Sequence, residues 1–282
     1  DWSSDVCSSD LSPTSLDVWS GCGFSYFLNY VLKLEETDFD TTYSSPRITG
    51  IILHRVLAAL TQVLDRELAG RLQENFERAK IILEEEIDRV FAEWRDPVFI
   101  HPAWTDERRH ISEYLAGFLE TESKVWDSAR LIAVEESLEI PDFISGIVLH
   151  GRIDRISEFN GEQIIVDYKK RLKSKKSGMV SPENELRSFQ VPCYLLLTED
   201  VHGAADQALY YDVTEQKYHQ VFGGNKPWFD PTEREDLLSQ TRNAVKSMGD
   251  TIQAGSFITP KPRGSCDGCA FRGVCREKYV IR

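Results

Sequence analysis

Apolar residues return at three- and four-residue intervals through the first half of the chain, and at every second position through much of the second half. Residues 49–94 carry leucines and isoleucines at helical spacing almost throughout, and 105–125 repeat the pattern, so both read as amphipathic helices. Ahead of them, residues 11–34 (LSPTSLDVWSGCGFSYFLNYVLKL) predict a short capped helix followed by a longer, apolar-striped one. The period then shortens. Residues 131–140 predict one strand, and 147–156 and 163–169 predict two more, joined through a Phe159-Asn160-Gly161 turn into a hairpin. A helix is expected at 189–197 and strands at 207–213 and 216–222. Asp230-Pro231-Thr232-Glu233 supplies an N-cap, a first-turn proline and a reciprocal capping glutamate, so a helix should run from there to about Ala254, before Gly255. No internal repeat is visible. The predicted fold class is α/β: a helical N-terminal half, then a mixed β-sheet core with helices.

The hairpin contains residues that its pattern does not explain. Asp154 lies in its first strand, and Asp167 and Lys169 lie two apart in its second, hence on one face. Asp and Lys are depleted in strands and rarely buried without partners. A salt-bridged solvent face would account for any single pair. Two carboxylates meeting across a hairpin also make an oxygen-rich pocket suited to magnesium or manganese, with a lysine near enough to act on a bound water.

Composition and charge narrow the setting. The chain's 282 residues, 41% hydrophobic and 11% aromatic, suffice for one large domain or two modest ones with a real core. No apolar run reaches the length of a membrane span and no leader resembles a signal peptide, so a soluble, cytoplasmic protein is expected. A net charge of -13 argues mildly against a protein coated by nucleic acid, but it says little about a local site. The densest basic run, from Lys169 to Lys176, begins at the hairpin lysine, and Lys170, Arg171, Lys173, Lys175 and Lys176 are placed to neutralise a phosphate backbone. Residues 1–10 (DWSSDVCSSD) lack periodicity and resemble a translated adapter; they are set aside as a non-native leader, Cys7 included, and the chain is expected to be a fragment of something that began upstream. No Gly-rich phosphate loop of the Walker type is present, so no motor is expected in this stretch.

Cys266-x2-Cys269-x5-Cys275 brings three thiols close enough for one metal centre, and Cys22 is the evident fourth ligand. Zinc and iron-sulfur clusters both take four thiolates, so ligand identity leaves the two open. Disulfides are disfavoured in an intracellular chain. Cys193, within the predicted 189–197 helix, reads as a small buried hydrophobe.

These residues together carry a resemblance. GRIDRI (151–156), IVDYK (165–169) and FQVPCY (189–194) resemble the three motifs of RecB-family nucleases of the PD-(D/E)XK superfamily, and GIILHRVL (50–57) resembles that family's Gly-x-x-x-His helix. The resemblance implies metal ligation by His54, Asp154, Asp167 and the backbone carbonyl of Tyr168, with catalytic roles for Asp154, Asp167, Lys169, Gln190 and Tyr194. Gln190 and Tyr194, four apart, would share a helix face; Pro192 between them is tolerable if that helix begins near Ser188. The cysteine frame is similar to the four-iron, four-sulfur staple of AddB-type nuclease domains and CRISPR-associated RecB-like exonucleases, with Cys22-Gly23-Phe24 departing from the usual Cys-Pro-Phe.

The chain would then comprise a helical region at 11–130, a PD-(D/E)XK core at 131–255 and an iron-sulfur segment at 256–282 closing onto Cys22. The function implied is a metal-dependent DNA exonuclease on single-stranded ends, working in double-strand-break repair with a helicase, most like the C-terminal nuclease domain of AddB-type helicase-nucleases. A free-standing CRISPR-associated exonuclease and a cleavage-silent DNA-end-binding module are the alternatives.

Overall fold

A six-stranded mixed sheet separates two hydrophobic cores. The computed structural model describes residues 10–34, 46–68, 70–93, 102–172, 179, 186–257, 266 and 269–275. In chain order these form β1 (Asp10–Leu11), α1 (Pro13–Gly21), α2 (Gly23–Tyr26) with a π-helical turn (Phe27–Val31), α3 (Pro46–Leu68), α4 (Phe76–Glu93) and α5 (Pro102–Val125). They continue with β2 (Arg130–Ile144), β3 (Ile147–Phe159), β4 (Glu162–Lys169), α6 (Gln190–Val201), β5 (Gln207–Asp212), β6 (Lys217–Phe222), a 3-10 turn (Pro231–Glu233) and α7 (Arg234–Gln253). Strands run in the order β1-β3-β4-β5-β6, with β2 also paired to β3; β1 is parallel to β3 and β4 to β5, and the other pairs are antiparallel.

The hairpin forms where expected, with Asn160 (φ 55°) and Gly161 (φ 82°) both left-handed, as its tight turn demands. Period two then sorts the strand residues between the cores. Ile164, Val166 and Tyr168 of β4, with Leu209 and Tyr211 of β5, pack against α3, α4 and α5. Ile165, Ala208 and Tyr210 pack on the opposite face against α1, α6 and α7. Asp167 and Lys169 continue the Ile165 row, so the backbone register alone carries them to the α6 side. Gly151 permits α6 to lie close to β3: a Cβ there would stand 2.8 Å from Leu197 Cδ1. On the other face the buried Arg155 donates to Glu122 of α5 at 2.8 Å and to Ser157, and Tyr218 also bonds Glu122. That fully partnered pair ties β3 to α5 beside Asp154; removing one partner would leave a buried charge, at a cost of about 3–5 kcal/mol.

Several expectations need correction. The second N-terminal helix is not longer than the first: four α-helical residues pass into a five-residue π turn. The 49–94 stretch divides around residues 70–75, with Gly70 at φ 73°, into two helices of 23 and 18 residues. Residues 48–68 are, by length and mean hydropathy (1.3), apolar enough for a membrane span, contrary to the sequence reading. Ile52, Leu53, Val56, Leu57, Leu60 and Leu64 nevertheless bury that apolar face in the second core.

Candidate active site

The divergence of β3 and β4 past the Arg155–Val166 pair opens a gap, and Asp154 fills it. Its Oδ2 accepts the Tyr168 N–H at 2.8 Å, and its Oδ1 lies 3.3 Å from His54 Nδ1 on α3. Glu135, on β2 opposite Asp154, brings Oε1 to 3.9 Å from the same imidazole nitrogen. His54, Glu135 and Asp154 thus offer one nitrogen and two carboxylate donors within 4.8 Å of one another. Burial disfavours a charge on His54, but hydrogen bonds to Asp154 and Glu135 overcome it and raise its pKa to about 10. The direction of that shift reflects an acidic pocket, a setting that favours a cation.

Asp167 and Lys169 stand beside this group. Gln190, the first residue of α6, donates to Asp167 Oδ1 at 2.7 Å and accepts from Lys169 Nζ at 2.7 Å; its amide also donates to the Tyr194 hydroxyl at 3.0 Å. Lys169 Nζ lies 2.7 Å from the buried Asp167 Oδ2, a close ion pair. Burial, with Asp154 adding to it, raises the Asp167 pKa to about 6 against the pull of Lys169. Two buried carboxylates, Asp154 and Asp167, beside a histidine and the half-buried Glu135 make a donor set that fits a hard divalent ion.

The whole sheet and both of its flanking layers lie within one family match, since residues 10–276 match the PD-(D/E)XK nuclease superfamily. The chain belongs to this superfamily. It is also 27% identical over 168 residues to ATP-dependent helicase/deoxyribonuclease subunits of Streptococcus pyogenes, among them those of serotypes M49, M4 and M1. Those alignments cover 56% of this chain and 14% of each relative, so the chain spans only a small part of the proteins it matches.

Within the PD-(D/E)XK frame, Asp154, Asp167, Lys169, Gln190, Tyr194 and His54 all meet, and Tyr168 contributes its N–H to Asp154. Pro192 sits in the first turn of α6, where its missing N–H is harmless. Lys170 and Arg171 are exposed at the end of β4; Lys173, Lys175 and Lys176 lie outside the described residues. The Asp212 carboxylate anchors the root of this basic run by accepting the Leu172 N–H at 2.7 Å. Asp212 also converges with Glu215 and His219, but its oxygens already cap the Leu172 and Glu215 amides, so it serves as a turn cap.

Cys22 ends α1, while Cys269 and Cys275 belong to a C-terminal turn in which Cys269 N–H donates to Cys266 O at 3.4 Å. Among the described residues, neither metal-sized convergence of side chains includes a cysteine. Cys193 is buried as expected, and burial raises its thiol pKa.

Glu135 escaped the sequence reading. The adjacent pair Glu135-Glu136 in LIAVEESLEI was the available signal: in an alternating strand, one of two neighbouring glutamates must face inward. Glu135 adopts φ 49°, a left-handed conformation unusual for a strand glutamate, and Arg152 holds its second oxygen at 2.9 Å.

Proposed function

We propose that this chain is a metal-dependent deoxyribonuclease, an exonuclease that trims single-stranded DNA ends, and that it works with a helicase in double-strand-break repair in the cytoplasm. The convergence of His54, Glu135 and Asp154 beside the Asp167–Lys169 pair carries this reading. These residues, with the Tyr168 carbonyl, would hold one or two Mg2+ or Mn2+ ions. Bound there, such an ion would acidify a water and offset charge on the phosphate. Lys169, held between Asp167 and Gln190, would orient the attacking water and oppose negative charge on the phosphate oxygens. Gln190 keeps the carboxylate and ammonium in register, and the Tyr194 hydroxyl backs its amide. Lys170, Arg171, Lys173, Lys175 and Lys176 would follow the DNA backbone. The helicase partner, whether a separate polypeptide or an upstream region of the same protein, is suggested by the helicase/deoxyribonuclease naming of the streptococcal relatives.

Cys22, Cys266, Cys269 and Cys275 are proposed to hold a [4Fe-4S] cluster. The donor set fits in kind, being four thiols outside the core, and the superfamily match reaches past both ends of this frame.

End-labelled single-stranded and duplex DNA, incubated with Mg2+ or Mn2+ and with a chelator control, tests the reading. Metal-dependent release of mononucleotides or short oligonucleotides from single-stranded ends is expected. Absence of metal-dependent cleavage on every substrate would end it.

A further inference from the structure

One acidic residue close to the centre has no role in the assignments above. Ser12 caps α1 through a reciprocal pair with Ser15, and Leu16 and Trp19 bury one side of that helix in the core shared with Val191 and Leu195 of α6. Asp17, on the same helix, reaches the start of α6. Its Oδ1 accepts the Phe189 N–H at 2.7 Å, and the Ser188 side chain lies beside the same carboxylate. Ser20 of α1 donates to the Arg187 carbonyl at 3.4 Å. α1 therefore grips three consecutive residues, and the next residue is Gln190.

The grip extends to the lysine. The Ser188 side chain also neighbours the Tyr210 hydroxyl, and the Tyr210 ring lies 5.4 Å from Lys169 Nζ. A Ser or Asn would satisfy the Phe189 amide without the cost of a partly buried charge. The carboxylate found there is desolvated enough to raise its pKa to about 6, and Lys169 is the cation that opposes this.

We propose that Asp17 is a positioning residue for the cleavage centre: by fixing residues 187–189 it sets where Gln190 holds Asp167 and Lys169. α1, the helix that ends at Cys22, then belongs to the catalytic geometry as well as to the scaffold. The inference rests on the nuclease reading, since the positioned groups are the ones that reading uses.

Asp17→Ala and Asp17→Asn, made in the full chain, test it. Asn keeps an acceptor oxygen for Phe189, whereas Ala does not. Asp17→Ala should lower kcat about tenfold, with KM for DNA and the Mn2+ half-saturation point within about twofold of the parent, and Asp17→Asn should recover most of the rate. Amide hydrogen exchange across residues 189–194 should accelerate in Ala and not in Asn, with β4 protected in both. An unchanged kcat per folded molecule, a loss confined to KM or to metal affinity, or an Asn variant as slow as Ala would overturn the assignment. If Asp17→Ala does not fold, Ser188→Ala takes its place: about a threefold fall in kcat supports the assignment and an unchanged kcat overturns it. A parent chain that cleaves no DNA would remove the nuclease reading, and the exchange comparison would still decide whether Asp17 fixes the start of α6.

Discussion

The acid-lysine site and the cysteine frame carry comparably specific sequence patterns, but the fold treats them differently. The first is assembled to hydrogen-bonding distance by backbone pairing: the β3–β4 hairpin and the parallel β4–β5 pair determine the position of Asp154, Asp167 and Lys169 before any ligand arrives. The second is spread over a helix end and a C-terminal turn, whose thiols do not converge at single-ion distances among the described residues. Chemistry borne on strand register is preorganised; chemistry borne on chain ends is completed by what it binds.

The sharpest way to break that contrast is to remove an acidic ligand. Asp154→Asn, which retains an acceptor for the Tyr168 N–H, and Asp167→Asn should each lower cleavage by about a thousandfold or more while far-UV circular dichroism stays that of the parent. Comparable activity in either variant would mean that the preorganised site is not the cleavage site. Glu135→Gln should cost about 10–100-fold in Mn2+ affinity, measured by calorimetric titration. An unaltered affinity would leave His54 and Asp154 without their third partner.

The cysteine side should respond in stability instead. Cys22→Ala should reduce the iron and sulfide content of anaerobically purified protein and lower stability by several kcal/mol, on the order of 3–5, because a cross-link over so long a loop restricts the unfolded chain. Zinc at stoichiometric level in a colourless parent, or a variant as stable as the parent, would contradict the cluster or the staple respectively.

A smaller effect joins the two regions through Asp17. Its folded pKa, about 6, exceeds the ordinary 3.8, so folding favours the protonated form. The stabilisation is complete below about pH 4 and is lost as pH rises through 6. Asp17→Asn should therefore gain stability relative to the parent between pH 4 and pH 7, on the order of 1–3 kcal/mol, read from urea midpoints at the two pH values. A difference that does not change with pH would show the carboxylate to be solvated.

Much of the fold and of the site was legible in the chain itself, for reasons that can be named. Asn160-Gly161 defines the hairpin, period two puts Asp167 and Lys169 on one face, and the 190/194 spacing puts Gln190 and Tyr194 on one turn. Glu135 was hidden because the β2–β3 register shifts between Leu131 and Ala133 and the backbone turns left-handed at the glutamate itself, which defeats simple alternation. Asp17 was hidden because its partner Phe189 is 172 residues away, a separation that no local pattern records. The π turn at Phe27–Val31 was missed because its apolar spacing differs little from that of an ordinary helix.

The left-handed backbone at Glu135 also bears on how this protein would respond to selection. A non-glycine residue in that conformation costs roughly 1 kcal/mol, which glycine would recover. Screening variants for heat resistance alone should thus favour Glu135→Gly, a more durable molecule lacking one donor at the acidic centre. Durability and turnover would be in direct competition at this one residue.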